Sequence, residues 1–353
     1  MKIKIGDKWV GDGEPTYIIA EIGSNHDGSL EQAKRMIDYA KEIGADAAKF
    51  QSFLAEKIIS RKGFRKKTSF QARWPKSVWQ VYKDAELPRE WHKILVDYCK
   101  KKRIHFLSSA WDEEAVDLLD ELDVPAFKVG SGDITNLPLL KYTAEKGRPI
   151  ILATGASTLD EVREAVEVIK STGNNNIILL HCVVNYPSPI EDANIRAMIT
   201  LKETFGYPVG YSDHTLDDLV PLGAVALGAC VIEKHFTIDR SRSGPDHPYA
   251  MEVPEFATMV KKIRLLERAL GSPIKQVTPS EKETVILQRR SLFAAVDIPA
   301  GSIIKKDMIE ILRPAIGLPP KQIDAIVGKR AKIHIKQYDP ITSDKIEWWG
   351  IKK

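Results

Sequence analysis

Eight short apolar stretches, each ending in a polar group, constrain this chain more than any other feature. They read YIIAEIG (residues 17–23), AAKFQ (47–51), HFLSSA (105–110), AFKVGS (126–131), PIILAT (149–154), IILLHC (177–182), VGYSDH (209–214) and VIEKHF (231–236). A strand covered on both faces is apolar throughout rather than alternating, which is the pattern of a buried parallel sheet. Amphipathic stretches such as LEQAKRMIDYAKEIGA, LDEVREAVEVIKSTG and LVPLGAVALGA lie between most of them. Strand and helix thus alternate about eight times over roughly 250 residues, the arithmetic of a (β/α)8 barrel. Barrels of this kind carry their active sites at the carboxyl ends of the strands. The expectation is that Glu21, Lys49, Gln51, Lys128, Ser131, Thr154, Ser212, Asp213, His214, Lys234 and His235 point into one mouth, and that the chain is an enzyme.

Length and charge narrow the reading further. A 353-residue chain that is 43% hydrophobic can bury a large core and leaves room for a barrel plus something smaller. A net charge of +4, with lysines spread along helices, gives no support to a nucleic-acid role. The start, MKIKIGDKWVG, has no apolar core of a signal peptide, and no apolar run approaches the ~20 residues of a membrane span, so a cytoplasmic location without membrane partners is expected. Cys99, Cys182 and Cys230 show neither metal nor redox spacing and read as packing residues.

The barrel pattern is expected to occupy residues 1–272. Residues 273–288 read as a polar linker containing a short helix, and residues 289–353 as a small, mostly β second domain of short runs broken by Pro and Gly.

His214 and His235 end two neighbouring strands, so both imidazoles can reach one point. Two imidazoles, with water and substrate in the remaining positions, make an open metal site able to polarise a carbonyl; the alternative is a pair of hydrogen-bonding strand-end histidines. Glu21 can accept a proton or orient a metal-bound water, or simply pair with Lys49. Lys49 and Lys128 close apolar strands, where a lysine is costly to bury unless it meets an anion. With Ser131, Thr154, Ser212 and nearby backbone amides they can hold a phosphate and a carboxylate, which makes the expected substrate anionic. Asn25 and His26 either reach the site or shape a turn, and Trp74, Trp79, Tyr82 and Trp91 either line a lid or pack helices.

The strings IIAEIGSNHDG, GADAAKFQSF, FKVGSGD, YSDHT, EKHFT, GPDH and RRSLFAAVDIPAG together resemble the sialic acid synthase (N-acetylneuraminate synthase) family, which includes legionaminate and pseudaminate synthases. The resemblance covers nearly the whole chain. It implies a (β/α)8 barrel followed by an antifreeze-protein-like (SAF-type) domain, in a domain-swapped homodimer where each small domain caps the partner's mouth. It also implies a manganese- or magnesium-dependent condensation of phosphoenolpyruvate with an N-acetylated hexosamine such as N-acetylmannosamine, giving a nine-carbon 2-keto acid and phosphate. On the matching motifs, His214 and His235 correspond to metal ligands and Glu21 to the acidic residue near the metal. Lys49, Lys128, Ser131, Tyr186 and Ser212 correspond to phosphoenolpyruvate positions, Gln51 and Asp246 to sugar contacts, and Arg313 to a residue reaching the acetamido group across the dimer. Two stretches depart from the family pattern. VVNYP puts Val184 where an asparagine often sits and Asn185, the candidate donor contact, one position later; RPAIGL replaces the usual R-P-G-T-G-I beside Arg313.

Three alternatives stand beside N-acetylmannosamine condensation. The acceptor can be a 2,4-diacetamido-trideoxyhexose leading to legionaminic or pseudaminic acid; the barrel can run a metal-assisted aldol or lyase reaction without phosphoenolpyruvate; or the small domain can serve a carbohydrate- or ice-binding protein. The strand-end ionisable groups argue against the last.

Overall fold

The computed structural model describes residues 1–64 and 66–348. It opens with an antiparallel hairpin, β1 (Lys2–Ile5) and β2 (Lys8–Gly11), turned at Gly6 and Asp7. Eight parallel strands follow: β3 (Tyr17–Glu21), β4 (Ala47–Ser52), β5 (His105–Ala110), β6 (Phe127–Val129), β7 (Ile150–Ala153), β8 (Ile177–Cys182), β9 (Val209–Asp213) and β10 (Val231–Thr237). Each pairs with the next, and β10 pairs with both β9 and β3, so the sheet closes into a barrel. The expected eight strands are all present. A two-residue strand, β11 (Met251–Glu252), adds to the outer end of β10.

Helices cover the outside, and their ends are set by local chemistry. Thr158 and Glu161 form a reciprocal capping box at the start of Leu159–Ser171, satisfying orphan amides there, and Ser29 caps Leu30–Glu42. Val162, Ala165, Val166 and Ile169, at helical spacing, are the buried face of the former. The connection between β4 and β5 is the exception: it runs through Ala55–Ile58, the 3-10 turn Ser69–Arg73 and Val78–Asp84 before the covering helix Trp91–Lys102.

Strand parity divides the barrel residues into two sets. Ile18, Ala20, Phe50, Phe106, Phe127, Ile150, Leu152, Leu179, Tyr211, Ile232 and Phe236 face the helices and join the larger core. Tyr17, Ile19, Ala47, Leu107, Ala126, Ile151, Ile178, Leu180 and Val231 face inward and fill the lower barrel, closed from below by Ile3, Ile5 and Val10 of the hairpin. Gly210 belongs to this inner layer by parity: a Cβ there would lie 2.4 Å from the Val231 carbonyl oxygen, so only glycine lets β9 approach β10 this closely.

The chain divides into two compact units, Met1–Gly271 and Ser272–Lys353. In the second, β12 (Ser291–Ala294) pairs antiparallel with β13 (Ile309–Leu312), and β14 (Arg330–Ala331) with β15 (Ile346–Glu347). Leu292, Ala294, Ile298, Ile304, Ile326, Ala331, Ile335, Ile341 and Ile346 form its core. The helix Lys282–Gln288 is tied to this unit through the Ile286 carbonyl, which accepts from the Ala315 amide at 2.8 Å. Among the described residues no helix is long and apolar enough to cross a membrane.

Candidate active site

Two residues above the apolar floor, the inward positions become charged. Glu21 ends β3, Lys49 and Gln51 lie on β4, Ser109 on β5, Lys128 on β6, Ser212 on β9, and Glu233 and His235 on β10. Lys49 Nζ is 2.6 Å from Glu21 Oε2, 3.7 Å from Glu233 Oε2 and 3.2 Å from Ser109 Oγ. Lys128 Nζ is 3.4 Å from Glu233 Oε1, which also accepts from Ser212 Oγ at 3.0 Å. Gln51 Nε2 donates to Glu21 Oε1 at 2.7 Å. All four charged side chains are at least 94% buried.

Two lysines and two carboxylates in so little water cannot all be equally comfortable as ions. Burial drives the Glu21 carboxyl above the usual carboxylate range, with the neighbouring Glu233 charge adding to the rise and Lys49 opposing it. Burial also penalises Glu233, but Lys128 and Lys49 outweigh it and hold that carboxyl well below its usual range. Burial lowers the Lys128 pKa despite Glu233. Glu233 is therefore the anion shared by the lysines, and Glu21 is the carboxyl that can carry or pass a proton near neutrality.

His214 lies just past β9. Its Nδ1 is 2.8 Å from the Val183 carbonyl oxygen, which can only accept, so Nδ1 carries the proton and Nε2 offers a lone pair. The His214 and His235 rings lie 5.6 Å apart. Burial pushes both pKa values down to about 4, keeping both rings neutral. His235 Nδ1 is buried with no hydrogen-bond partner and sits 3.8 Å from Asp246 Oδ2. Asp246 is itself fixed by Ser24, whose amide and hydroxyl both donate to Oδ2 at 2.9 Å, and by the Tyr249 hydroxyl at 2.6 Å from Oδ1. Gly23 makes this approach possible: its φ is +53°, and a Cβ would stand 2.5 Å from Asp246 Oδ2.

Above the charged layer a cavity of about 630 Å³ opens. Gln51, Asp133, Tyr186, His235, Asp246 and Tyr249 contribute polar groups, and Phe53, Ile58, Ile59, Phe64, Phe70, Trp74, Tyr82 and Trp111 form an apolar wall. Phe53 packs edge-on against Tyr82 and Trp111, with both centroids at 5.5 Å. Tyr186 lies 4.4 Å from the His214 ring and 5.1 Å from Phe70, joining the two parts. Burial raises the Asp133 carboxyl to about 6.

The remaining expected residues fall in several places. Ser131 Oγ accepts from the Gly155 amide at 3.0 Å and lies 3.6 Å from Cys182 Sγ. Cys182 in turn lies 3.9 Å from His214 Nδ1, so this thiol faces the mouth rather than only packing. The Thr154 hydroxyl donates to the Leu180 carbonyl at 3.1 Å and is committed to holding the strand end. Asn185 Oδ1 accepts from the Tyr186 amide at 3.1 Å and shapes that turn. Asn25 ties the Phe236 carbonyl at 3.0 Å. Arg313 is exposed in the second unit, its Nε donating to the Gln288 carbonyl at 2.8 Å. Trp74 and Tyr82 line the cavity, whereas Trp79 stacks under Arg61 and Trp91 packs on the helical core.

Asp213 and Lys234 do not enter the mouth. They are register partners on β9 and β10, and parity turns both outward, where they form a buried ion pair beneath the helices. The position that does enter is Glu233, which the sequence reading passed over. Its signal was available: if His235 faces the mouth, so does the residue two before it, and the residue one before it cannot.

A closed parallel barrel whose upper interior holds paired lysines, carboxylates and two neutral imidazoles beneath an aromatic-walled cavity has the build of an enzyme site that can receive a small anion. Comparison with known proteins is specific about which kind. Residues 36–275 match the NeuB family and residues 289–347 the SAF domain. The chain is 43% identical to N,N'-diacetyllegionaminic acid synthase of Campylobacter jejuni, over 91% of this chain and 97% of that one. It is 39% identical to human N-acetylneuraminate-9-phosphate synthase, over 98% and 96%. The crystal structure of the spore coat polysaccharide biosynthesis protein SpsE from Bacillus subtilis superposes with a TM-score of 0.67 at 37% identity, covering 99% of this chain and all of that one. The chain belongs to the NeuB family, and is thereby an enzyme homologous to the synthases of neuraminic, legionaminic and pseudaminic acids.

Among the described residues no group of three or more His, Cys, Asp and Glu is arranged to hold a metal ion. An ion at the mouth would have two protein ligands, the neutral His214 and His235 imidazoles, whose rings lie 5.6 Å apart, with its other positions open to water and substrate oxygens.

Proposed function

We propose that this enzyme condenses phosphoenolpyruvate with the open-chain form of an N-acetylated amino sugar, giving a nine-carbon 2-keto acid and phosphate, and that its acceptor is a 2,4-diacetamido-trideoxyhexose rather than N-acetylmannosamine. The observation that carries the reading is the junction of the buried lysine pair with the aromatic cavity: one binds an anionic donor, the other an acceptor with methyl groups to bury. A hydroxyl placed against Phe53, Phe70 and Trp111 loses its water, whereas a deoxy carbon or an acetamido methyl gains from the same wall. The similarity to the diacetyllegionaminic acid synthase points the same way.

Lys49 and Lys128 receive the donor's carboxylate and phosphate charges, with Ser131 as a hydrogen-bond donor, Ser212 as a second when its hydroxyl turns from Glu233 to the substrate, and Glu233 setting the spacing of the ammonium groups. Gln51, Asp246 and Tyr186 orient the acceptor so that its aldehyde carbon faces C3 of the donor. A divalent ion, manganese or magnesium, bound by His214 and His235 would supply Lewis-acid polarisation of the acceptor carbonyl. The C3–C1 bond forms as the donor double bond gives its electrons to the aldehyde carbon, whose oxygen keeps the broken π pair and is protonated to the new hydroxyl; water adds to the cationic C2, and the C2 hydroxyl gives up its remaining proton as the C–O bond to phosphate breaks. Glu21, held by Gln51 and raised by burial, takes the proton from that water. Arg313 of a second copy in a domain-swapped homodimer contacts the acetamido group; Arg313→Ala raising the acceptor KM without moving the phosphoenolpyruvate KM is the expected sign of that role.

Incubation with manganese, phosphoenolpyruvate and each acceptor in parallel, followed by phosphate release and product mass, tests the proposal. A kcat/KM about tenfold or more in favour of the diacetamido sugar, about 1.4 kcal/mol, is expected. Preference for N-acetylmannosamine overturns the acceptor assignment, and absence of phosphate with either sugar overturns the reaction.

A further inference from the structure

The ion pair of Asp213 and Lys234 has no access to substrate and no obvious benefit to stability. Both side chains are at most 1% exposed. They stand in a layer otherwise filled by Tyr211, Ile232 and Phe236. Burying two ions there carries a desolvation penalty that apolar residues of similar volume would avoid. The contacts around the pair indicate what it provides instead. Lys234 Nζ donates to Asp213 and to the Thr215 carbonyl oxygen, the latter at 2.6 Å. Thr215 in return binds Asp213 three ways: its amide donates to Oδ1 at 3.1 Å, and its hydroxyl lies 3.0 and 2.9 Å from Oδ1 and Oδ2.

These contacts clamp the residue on each side of His214 and join both to the residue immediately before His235. The two imidazoles are therefore fixed relative to one another through the back of the sheet, on the face opposite the mouth. Spacing matters more at this site than at one with three or four protein ligands, because nothing else in the donor set defines where an ion sits.

We propose that Asp213, Lys234 and Thr215 form a positioning clamp that sets the separation of His214 and His235 for a divalent cation. The proposal rests on the reading of those histidines as the cation ligands. Its test is manganese binding followed by the electron paramagnetic resonance signal of the free ion, in the absence of substrates, for the wild-type chain, the paired variant Asp213→Asn/Lys234→Met and the single variant Thr215→Val. Thermal unfolding without metal and the KM for phosphoenolpyruvate are measured alongside. The clamp predicts that the paired variant binds manganese about 10–100-fold more weakly, as loss of an outer-shell partner does, while the phosphoenolpyruvate KM stays within about twofold. Thr215→Val, which keeps the ion pair, is expected to weaken manganese binding by about threefold or more. Binding within twofold of wild type in the paired variant overturns the clamp; should that variant not fold, unchanged binding in Thr215→Val overturns it. A wild-type chain that binds no manganese overturns the ligand reading itself and the clamp with it, a result distinct from either variant failing alone.

Discussion

The lower and upper halves of the barrel interior are built on the same strands with the same inward parity, yet they are made of opposite materials. Ile19, Ala47, Leu107, Ala126 and Val231 fill the floor and are fully buried; two residues further along each of these runs stand Glu21, Lys49, Ser109, Lys128 and Glu233. The floor stabilises by removing apolar surface from water, at roughly 25 cal/mol per Å². The upper layer works against that gain, since each buried ion must be compensated by a partner. The contrast shows that a barrel can hold a costly charge cluster because the cluster occupies only one end of a sealed core.

Substitutions sharpen this division, and the largest effect belongs at the top. Glu233→Gln leaves Lys49 and Lys128 without their shared anion, and turnover is expected to fall by about 10²–10³-fold, read as kcat at saturating substrate. A fall of less than about threefold would show that Glu233 is a bystander.

The next effect belongs to neither half but to the layer behind them, and it depends on pH. His92 is fully buried, with Nε2 2.6 Å from Ser52 Oγ, and burial lowers its pKa from 6.5 to about 4. Between those values the unfolded chain binds the proton and the folded chain does not, so the contribution is complete above pH 6.5 and is lost as pH falls toward 4. The shift corresponds to about 3 kcal/mol at most. Melting temperatures of the wild type and His92→Gln across this range should converge as pH falls; parallel curves would contradict the assignment.

Gly23→Ala puts an L side chain into a left-handed backbone conformation and presses a methyl group on Asp246, so about a tenfold rise in acceptor KM is expected. An unchanged acceptor KM would remove Asp246 from sugar binding. The smallest effect comes from the floor: Ile178→Val should lower stability by about 0.5–1.5 kcal/mol in denaturant unfolding and leave kcat alone. A kcat change exceeding that of Gly23→Ala would mean the two halves are coupled.

The barrel was legible because a strand buried on both faces writes itself as an unbroken apolar run, and all eight runs are strands. The mouth was legible only in part. Taking every polar residue near a strand end includes Lys49, Lys128, His214 and His235, which stand at the mouth, but also admits Asp213 and Lys234, which face the helices, and leaves out Glu233. Alternation along VIEKHF contains that distinction, since His235 and Glu233 share a face that Lys234 does not. The hairpin that seals the floor lay in MKIKIGDKWVG, where lysines obscure the alternating Ile3, Ile5 and the turn at Gly6 and Asp7. The aromatic wall was ambiguous for a different reason. Trp74, Trp79 and Tyr82 sit in one irregular connection, and which of them reach the cavity depends on contacts with Phe53, Phe70 and Arg61 that no local pattern encodes.

The most direct test of the account is to supply phosphoenolpyruvate and the 2,4-diacetamido-trideoxyhexose to the wild-type enzyme before exhaustive chelation, after it, and after manganese is restored. Phosphate and a nine-carbon keto acid formed in equal amounts, lost on chelation and recovered with manganese, is the predicted result. Undiminished turnover in the chelated enzyme would contradict the role given to His214 and His235, and no phosphate from folded, manganese-loaded protein would contradict the reaction assigned to the mouth.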